Sequence, residues 1–190
     1  MANDSNIGLG RRTVKLVPHD PKWAECFVAE EQLLLQTLGE KVLEVRHIGS
    51  TSIPGVPAKP IIDILAAVPR LADVEAFSAD LCRLGYEDKG SGGVEGRRYF
   101  VKGTEARRTH HLNFCERDGF FWRSHLVFRD YLVRHPDAAA EYSALKRELA
   151  ARFPTDRAAY TNGKETFVRA IVELAMKVEA FVRPIRFLTF

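Results

Sequence analysis

Residues 47–68 read His-Ile-Gly-Ser-Thr-Ser-Ile-Pro-Gly-Val-Pro-Ala-Lys-Pro-Ile-Ile-Asp-Ile-Leu-Ala-Ala-Val. An apolar-rich run, Val42 to Ile48, reads as a strand and ends in a Gly-Ser turn, Gly49-Ser50. A loop holding Pro54, Gly55 and Pro57 follows, and Ile61 to Val68 reads as a second strand. That second strand carries one acid, Asp63, among aliphatic residues. A charge in such a run is costly to bury unless something pairs with it. A metal, a basic partner or a reacting ligand could do so, and Asp63 is therefore the residue that most needs an explanation.

Upstream, residues 1–12 are polar and expected to be loose, and Val14 to Val17 reads as a short edge strand. Asp20-Pro21 predicts a helix start, with Phe27, Leu34 and Leu38 on one face and Gly39 as the stop. Downstream, Val74, Phe77, Leu81 and Leu84 predict a second helix over Asp73 to Leu84. Arg97 to Val101 and Thr109 to Cys115 read as strands joined by a charged hairpin around Lys102 to Arg108. Strict alternation puts His110, Leu112, Phe114 and Glu116 on one face, and His111, Asn113 and Cys115 on the other. Helices are expected over Phe121–Arg134, Pro136–Arg152 and about Thr166–Val182, interrupted at Pro154 and Gly163. The expected class is α+β, or mixed α/β, with a small mixed sheet flanked by helices and a helical C-terminal third. One domain over residues 1–190 is expected, with its sheet-containing core in 13–118 and its helical part in 119–182.

With 46% hydrophobic and 28% charged residues, the 190-residue chain has the composition of a soluble globular domain. A net charge of +3 gives no case for nucleic acid or a membrane surface. Cys26, Cys82 and Cys115 are odd in number and widely spaced, which fits buried thiols in a reducing cytoplasm. No signal pattern or bilayer-length apolar run is present, and a cytoplasmic location is expected.

The 47–68 stretch resembles the GrpB family (UPF0157), whose members look like minimal nucleotidyltransferase-fold proteins and also occur fused to dephospho-CoA kinases. The resemblance extends over Val17-Pro18-His19-Asp20-Pro21-Lys22-Trp23, Thr109-His110-His111-Leu112-Asn113-Phe114, Phe128-Arg129-Asp130-Tyr131-Leu132 and Tyr160-Thr161-Asn162-Gly163-Lys164. It implies that Gly49 and Ser50 hold phosphate and that Asp63 holds Mg²⁺ for nucleotidyl transfer to an unknown acceptor. A working nucleotidyltransferase has a second acid two residues away on this strand, where this chain has Ile61 and Leu65. Its acid motif is thus incomplete, unless Glu116 or Glu95 compensates. No Gly-Lys-Ser/Thr ends the loop, so this is not a P-loop.

The candidate catalytic residues are Asp63, also the candidate metal ligand, and His111 as general acid–base. The candidate substrate-binding residues are Gly49, Ser50, Thr51, Lys59, Arg97, Arg98, Asn113 and Lys164. Arg97 and Arg98 are adjacent on a strand, so one of the two is expected to face the site. Each candidate has a plainer reading. Asp63 could pair internally with Arg97 or Arg98. His111 and His47 could be hydrogen-bonded histidines in a half-buried sheet. Lys102, Arg107 and Arg108 could form a solvated basic face, and Tyr160, Arg129, Trp23 and Trp122 could be packing residues. The expected partner is a nucleotide or another phosphate-bearing small molecule. The alternatives are a non-catalytic accessory module associated with a dephospho-CoA kinase, or a tRNA-linked role, which the modest charge does not favour.

Overall fold

A computed structural model describes residues 6–182 of the chain. Five strands form one sheet: β1 (Glu44–Ile48), β2 (Ile62–Val68), β3 (Tyr86–Asp88), β4 (Arg98–Gly103) and β5 (Arg108–Glu116). Their order is β1-β2-β5-β4-β3. β2 and β5 run parallel and the other pairs antiparallel, so the sheet is mixed. β2 lies inside the sheet, where both faces are covered over all of its length except at Asp63. That is why it reads as a nearly unbroken aliphatic run rather than an alternating one. β3 is three residues long and was not anticipated, because so short an element shows no periodicity.

One face of the sheet is closed. Ile62, Ile64, Ala66 and Val68 of β2 pack with Phe100, Leu112 and Phe114 against Trp23, Leu34 and Leu38 of helix α1 (Lys22–Leu38). Full burial of side chains of this size stabilises by about 1.5–3 kcal/mol each. Asp20 starts the helix by accepting the Lys22 N–H on its carboxylate at 3.0 Å. The expected second helix is split into a tighter 3₁₀ segment, Leu71–Phe77, and helix α2 (Ser78–Arg83). The Ser78 hydroxyl donates to the Glu75 carbonyl, a local bond that competes with regular helix continuation. Val74, Phe77 and Leu81 nevertheless enter the same core.

The other face is only half covered. Helix α3 (Phe120–Arg134) lays Trp122 over Ile48, Leu65, Ala67 and Cys115. Helices α4 (Pro136–Arg152), α5 (Arg157–Asn162) and α6 (Glu165–Val182) complete the C-terminal part. The short α5 was not foreseen. Asp156 caps it, accepting the Ala159 N–H at 3.0 Å. The architecture is the expected mixed α/β class.

Two expectations about the N-terminal arm need correction. Residues 1–5 lie outside the described residues, but 6–12 are tethered rather than loose. Gly8 N–H donates to Pro60 O, and Leu9 exchanges backbone hydrogen bonds with Arg108. Val14–Val17 is no strand: Val14 donates to Pro154 O, and Val17 forms an isolated bridge with Ala58. Of the three thiols, Cys26 and Cys115 are buried as expected, whereas Cys82 is exposed.

Candidate functional site

The uncovered half of the sheet is a cleft of about 520 Å³. Its floor begins where β1 ends. Ile48 lies opposite Asp63 in the antiparallel pair, and the next residue, Gly49, turns away at φ +71°. A Cβ on Gly49 would sit 2.4 Å from Asp63 Oδ2. Glycine is thus needed both for the left-handed backbone and for the close approach of the carboxylate. Ser50–Ser52 then forms a single 3₁₀ turn, closed by Ser52 Oγ donating to Gly49 O at 2.6 Å.

The turn is braced from behind. His47 stacks on Phe27 at 4.8 Å between centroids, and its Nε2 lies 2.9 Å from Thr51 Oγ1. Burial pushes the His47 pKa down to about 4, although Asp63 acts in the opposite direction. A neutral imidazole that holds Thr51 is a positioning group. Arg129 donates to His47 O at 2.9 Å and pairs with Asp130, so it too supports the turn and is not part of the cleft wall. Burial pushes the pKa of Tyr142 of α4 up to about 12, with the neighbouring Ser50 hydroxyl acting in the opposite direction.

Asp63 and His111 are register partners in the parallel β2–β5 pair, with His111 Nδ1 2.8 Å from Asp63 Oδ1. Burial raises the Asp63 pKa. The His111 hydrogen bond and charge, with Lys59 and Lys164 beyond it, outweigh that rise and hold the carboxyl below its usual range. With Nδ1 committed to the carboxylate, Nε2 is the ring nitrogen left to the cleft that His111 lines. Tyr99 packs edge-on against the imidazole, with centroids 5.6 Å apart.

Around this single acid the cleft gathers four lysines and three arginines. Lys59 and Lys164 sit over the buried Tyr160 ring, at 5.2 and 4.6 Å from its centroid, and Lys146 sits 5.0 Å from that of Tyr142. Lys146 also donates to the Pro57 carbonyl. Burial pushes the Lys59 pKa down to about 7, helped by Arg157 and Lys164. It pushes Lys146 down to about 6, again with neighbouring lysines adding to the effect. Lys164 is lowered by burial too, against the pull of Asp63. Arg11 and Lys89 have carboxylate partners in Glu105 and Glu87. Lys59, Lys146, Lys164, Arg108 and Arg157 have none within 4 Å among the described residues.

Arg108 reaches this wall through a β-bulge. Lys102 pairs with His110 but Gly103 pairs with Arg108, so Thr109 is an extra residue on β5. Plain alternation from His111 would send Arg108 to the closed face; the extra residue shifts the phase and places it in the cleft wall. Gly103, at φ +93°, makes the bulge possible, because a Cβ there would lie 2.3 Å from Arg107 O. Arg108 is 5% exposed, not part of a solvated face, and its Nη1 has no hydrogen-bond partner among the described residues. Leaving such a group unsatisfied costs about 1–3 kcal/mol.

Of the expected residues, Ser50, Thr51, Lys59, Asp63, His111 and Lys164 line the cleft, and Gly49 lies directly beneath the carboxylate. Three do not line it. Arg98 points to the closed face and is tied to Asp88 and Glu75. Arg97, on the cleft face, is stacked 4.5 Å from the Tyr99 centroid and donates to Asn113 Oδ1. Asn113 uses its amide nitrogen on Ile64 O. Neither arginine pairs with Asp63. Lys146, Arg157, Arg11, Lys89 and Arg108 were not singled out for the site. Lys146 left a trace: it falls in the buried stripe Tyr142, Ser143, Leu149 of α4, where a lysine is out of place.

The donor set does not fit a resident Mg²⁺. No second acid lines the cleft: Glu116 accepts the Leu71 N–H at the far end of β5, and Glu95 is exposed. No group of three His, Cys, Asp or Glu able to hold a metal exists among the described residues. One Asp63 oxygen is held by His111, and the surrounding ammonium groups repel a dication.

The family model described as GrpB protein matches residues 13–174. The chain is 41% identical over 167 residues to the UPF0157 protein YqkA of Bacillus subtilis, covering 88% of this chain and 48% of YqkA. It is 39% identical over 170 residues to the glutamate-rich protein GrpB of Alkalihalophilus pseudofirmus, covering 87% of this chain and 98% of that protein. The crystal structure of conserved protein GrpB from Enterococcus faecalis superposes with a TM-score of 0.81 at 39% identity, over 87% of this chain and 99% of that one. A more distant likeness, at 16% identity and a TM-score of 0.51, is to the Cid1 poly(U) polymerase with Mg 3′-dATP bound. It covers 72% of this chain and 44% of that one and concerns the nucleotidyltransferase fold alone. A dephospho-CoA kinase of Mycolicibacterium paratuberculosis is 30% identical over 198 residues, 88% of this chain and 47% of the kinase.

Proposed function

The chain belongs to the GrpB family, and we propose that it binds a nucleotide by its phosphate groups in the cleft between the open sheet face and α4–α5. The observation that carries this reading is the charge imbalance: three lysines and two arginines with no carboxylate within 4 Å among the described residues face one aspartate. Tyrosine rings beneath Lys59, Lys146 and Lys164 hold the ammonium groups without neutralising them. Such a wall suits several phosphate oxygens at once. Lys59 and Lys146, whose pKa values burial lowers to about 7 and about 6, take up protons as the anion arrives. Asp63 is the one acid of the cleft that would meet a magnesium ion carried in on the phosphates, where such an ion would offset phosphate charge. Isothermal titration tests the reading. ATP is expected to bind saturably in EDTA and adenosine not to bind. Equal heats from both, or no heat from ATP at millimolar concentration, would sink it.

Two further roles are proposed on separate observations. The Asp63–His111 pair is a ready general base, with Asp63 fixing the tautomer and Nε2 free for an acceptor hydroxyl. With the nucleotidyltransferase-type fold, it supports nucleotidyl transfer to an acceptor that the cleft does not specify. Release of pyrophosphate from NTPs that is lost in His111→Ala is the expected sign, and release undiminished in that variant would remove the role. The likeness to a dephospho-CoA kinase supports an accessory role beside such an enzyme. Co-purification with it, and a thermal shift with CoA precursors but not with NTPs, would favour that role over transfer.

A further inference from the structure

The cleft has charge for several phosphates and little with which to read a base. Its cations without a carboxylate within 4 Å among the described residues, Lys59, Lys146, Lys164, Arg108 and Arg157, form one field. Arg157 acts on Lys59 and Lys164, those two lysines act on Lys146, and Arg108 acts on Arg157. Asp63, the one acid in the wall, reaches all three lysines and Arg157. With every lysine charged, five cations against one carboxylate leave a net charge of four. A nucleoside triphosphate carries about four negative charges, one on each inner phosphate and two on the last. A monophosphate carries about two and leaves about half of the field unanswered.

A nucleobase is selected by stacking on an open aromatic face, or by paired hydrogen bonds from Arg, Asn, Gln or acidic side chains. Both tyrosine rings of the wall are already occupied. Tyr160 is 1% exposed, with Lys59 and Lys164 over its ring. Tyr99 carries the Arg97 guanidinium 4.5 Å from its centroid and His111 edge-on at 5.6 Å. No Phe, Trp, Asn, Gln or Glu lines the cleft among the described residues. Asp63 has one oxygen held by His111 and sits against Gly49, and buried Thr51 is tied to His47. The hydroxyls of Ser50 and Thr161 accept and donate alike, so they do not distinguish one base from another.

We infer that the cleft recognises the linear triphosphate unit itself and is indifferent to the nucleobase, so that inorganic tripolyphosphate is a full ligand. The inference rests on the phosphate half of the nucleotide reading and narrows it. Any nucleoside triphosphate fits, and discrimination is by the number of phosphates.

Calorimetric titration of the wild-type chain in EDTA with ATP, GTP, CTP, UTP, AMP and inorganic tripolyphosphate is the test. The four nucleoside triphosphates and tripolyphosphate are expected to fall within about fivefold of one another, and AMP at least about a hundredfold below ATP. Tripolyphosphate is expected to displace ATP competitively. Lys164→Met is expected to weaken ATP and tripolyphosphate by the same factor, to within about threefold, because the base makes no part of either contact. A spread wider than fivefold, AMP closer to ATP than a hundredfold, or bound ATP that tripolyphosphate does not displace overturns the inference and leaves the nucleotide reading standing. Unequal losses in Lys164→Met also overturn it. Binding of neither ATP nor tripolyphosphate overturns both.

Discussion

The two faces of the sheet each hold one carboxylate among basic groups, and they treat it in opposite ways. On the closed face, Glu30 of α1 is buried, yet every oxygen is used. Tyr86 donates to it at 2.9 Å, and Lys102 donates to both oxygens at 2.8 and 2.9 Å. His110 stands 3.9 Å away, its pKa pushed down to about 4 by burial, and stays neutral. On the open face, Asp63 meets one histidine and a surplus of cations, five of which have no carboxylate within 4 Å among the described residues. The first arrangement is saturated and holds the fold together. The second is deliberately left in deficit of negative charge. A charged residue in a strand is therefore a poor indicator of function by itself; the balance of its surroundings decides.

The largest effect that would test this contrast is on the closed face. Glu30→Gln removes the charge and leaves Lys102 partly buried without its partner. The expected cost is about 3 kcal/mol in urea unfolding, and Lys102→Met in the same chain should recover most of it. A loss under 1 kcal/mol would mean that the Glu30 network does not hold the closed face together. On the open face the signs reverse. Lys164→Met removes a buried cation that lies over the Tyr160 ring and whose charged neighbours include Asp63 and Arg157. Its midpoint in urea should stay level or rise, while affinity for ATP falls about tenfold, equivalent to about 1.4 kcal/mol. A destabilised Lys164→Met with unchanged ATP affinity would make the two faces alike.

A smaller effect is expected from pH. Lys59 and Lys146 have folded pKa values near 7 and 6 against an ordinary 10.5. Between those limits the unfolded chain binds more protons, so these two groups make the ligand-free protein more stable as pH rises. Phosphate favours the charged ammonium, so ATP affinity should move the other way and fall from pH 7 to 9, with net proton uptake on binding. Titrations in buffers of different ionisation enthalpy read that uptake directly, and proton release would contradict the assignment.

The parts of the site that were legible in the sequence are local. Gly49, Ser50, Lys59 and Asp63 lie within one turn and the strand after it, and a lone acid in an aliphatic run announces itself. Lys164 was found by family likeness. What could not be read depends on packing between distant segments. Lys146 joins the cleft because α4 docks on the 53–57 loop, and Arg157 because α5 meets the N-terminal arm at Arg11, neither of which a local pattern encodes. Arg108 was misplaced because period-two alternation assumes a regular ladder; the isolated Gly103 in a strand was the available hint of a bulge. Arg98 and Asn113 were expected in the cleft because they lie near the right residues in sequence, whereas register hands their polar groups to Asp88 and Ile64. The net charge of +3 concealed the local excess because acids elsewhere on the surface offset it.

The supernumerary residue in β5 has a consequence for how this cleft can change. Inserting one uncharged residue between Lys102 and Gly103, opposite Thr109, would restore a regular pleat and swing Arg108 toward the closed face, without altering a single ionisable side chain. A chain one residue longer at that point of β4 would have the same titratable composition but a less positive cleft wall. Ligand preference here is thus open to adjustment by the length of a strand as much as by the identity of any residue along it.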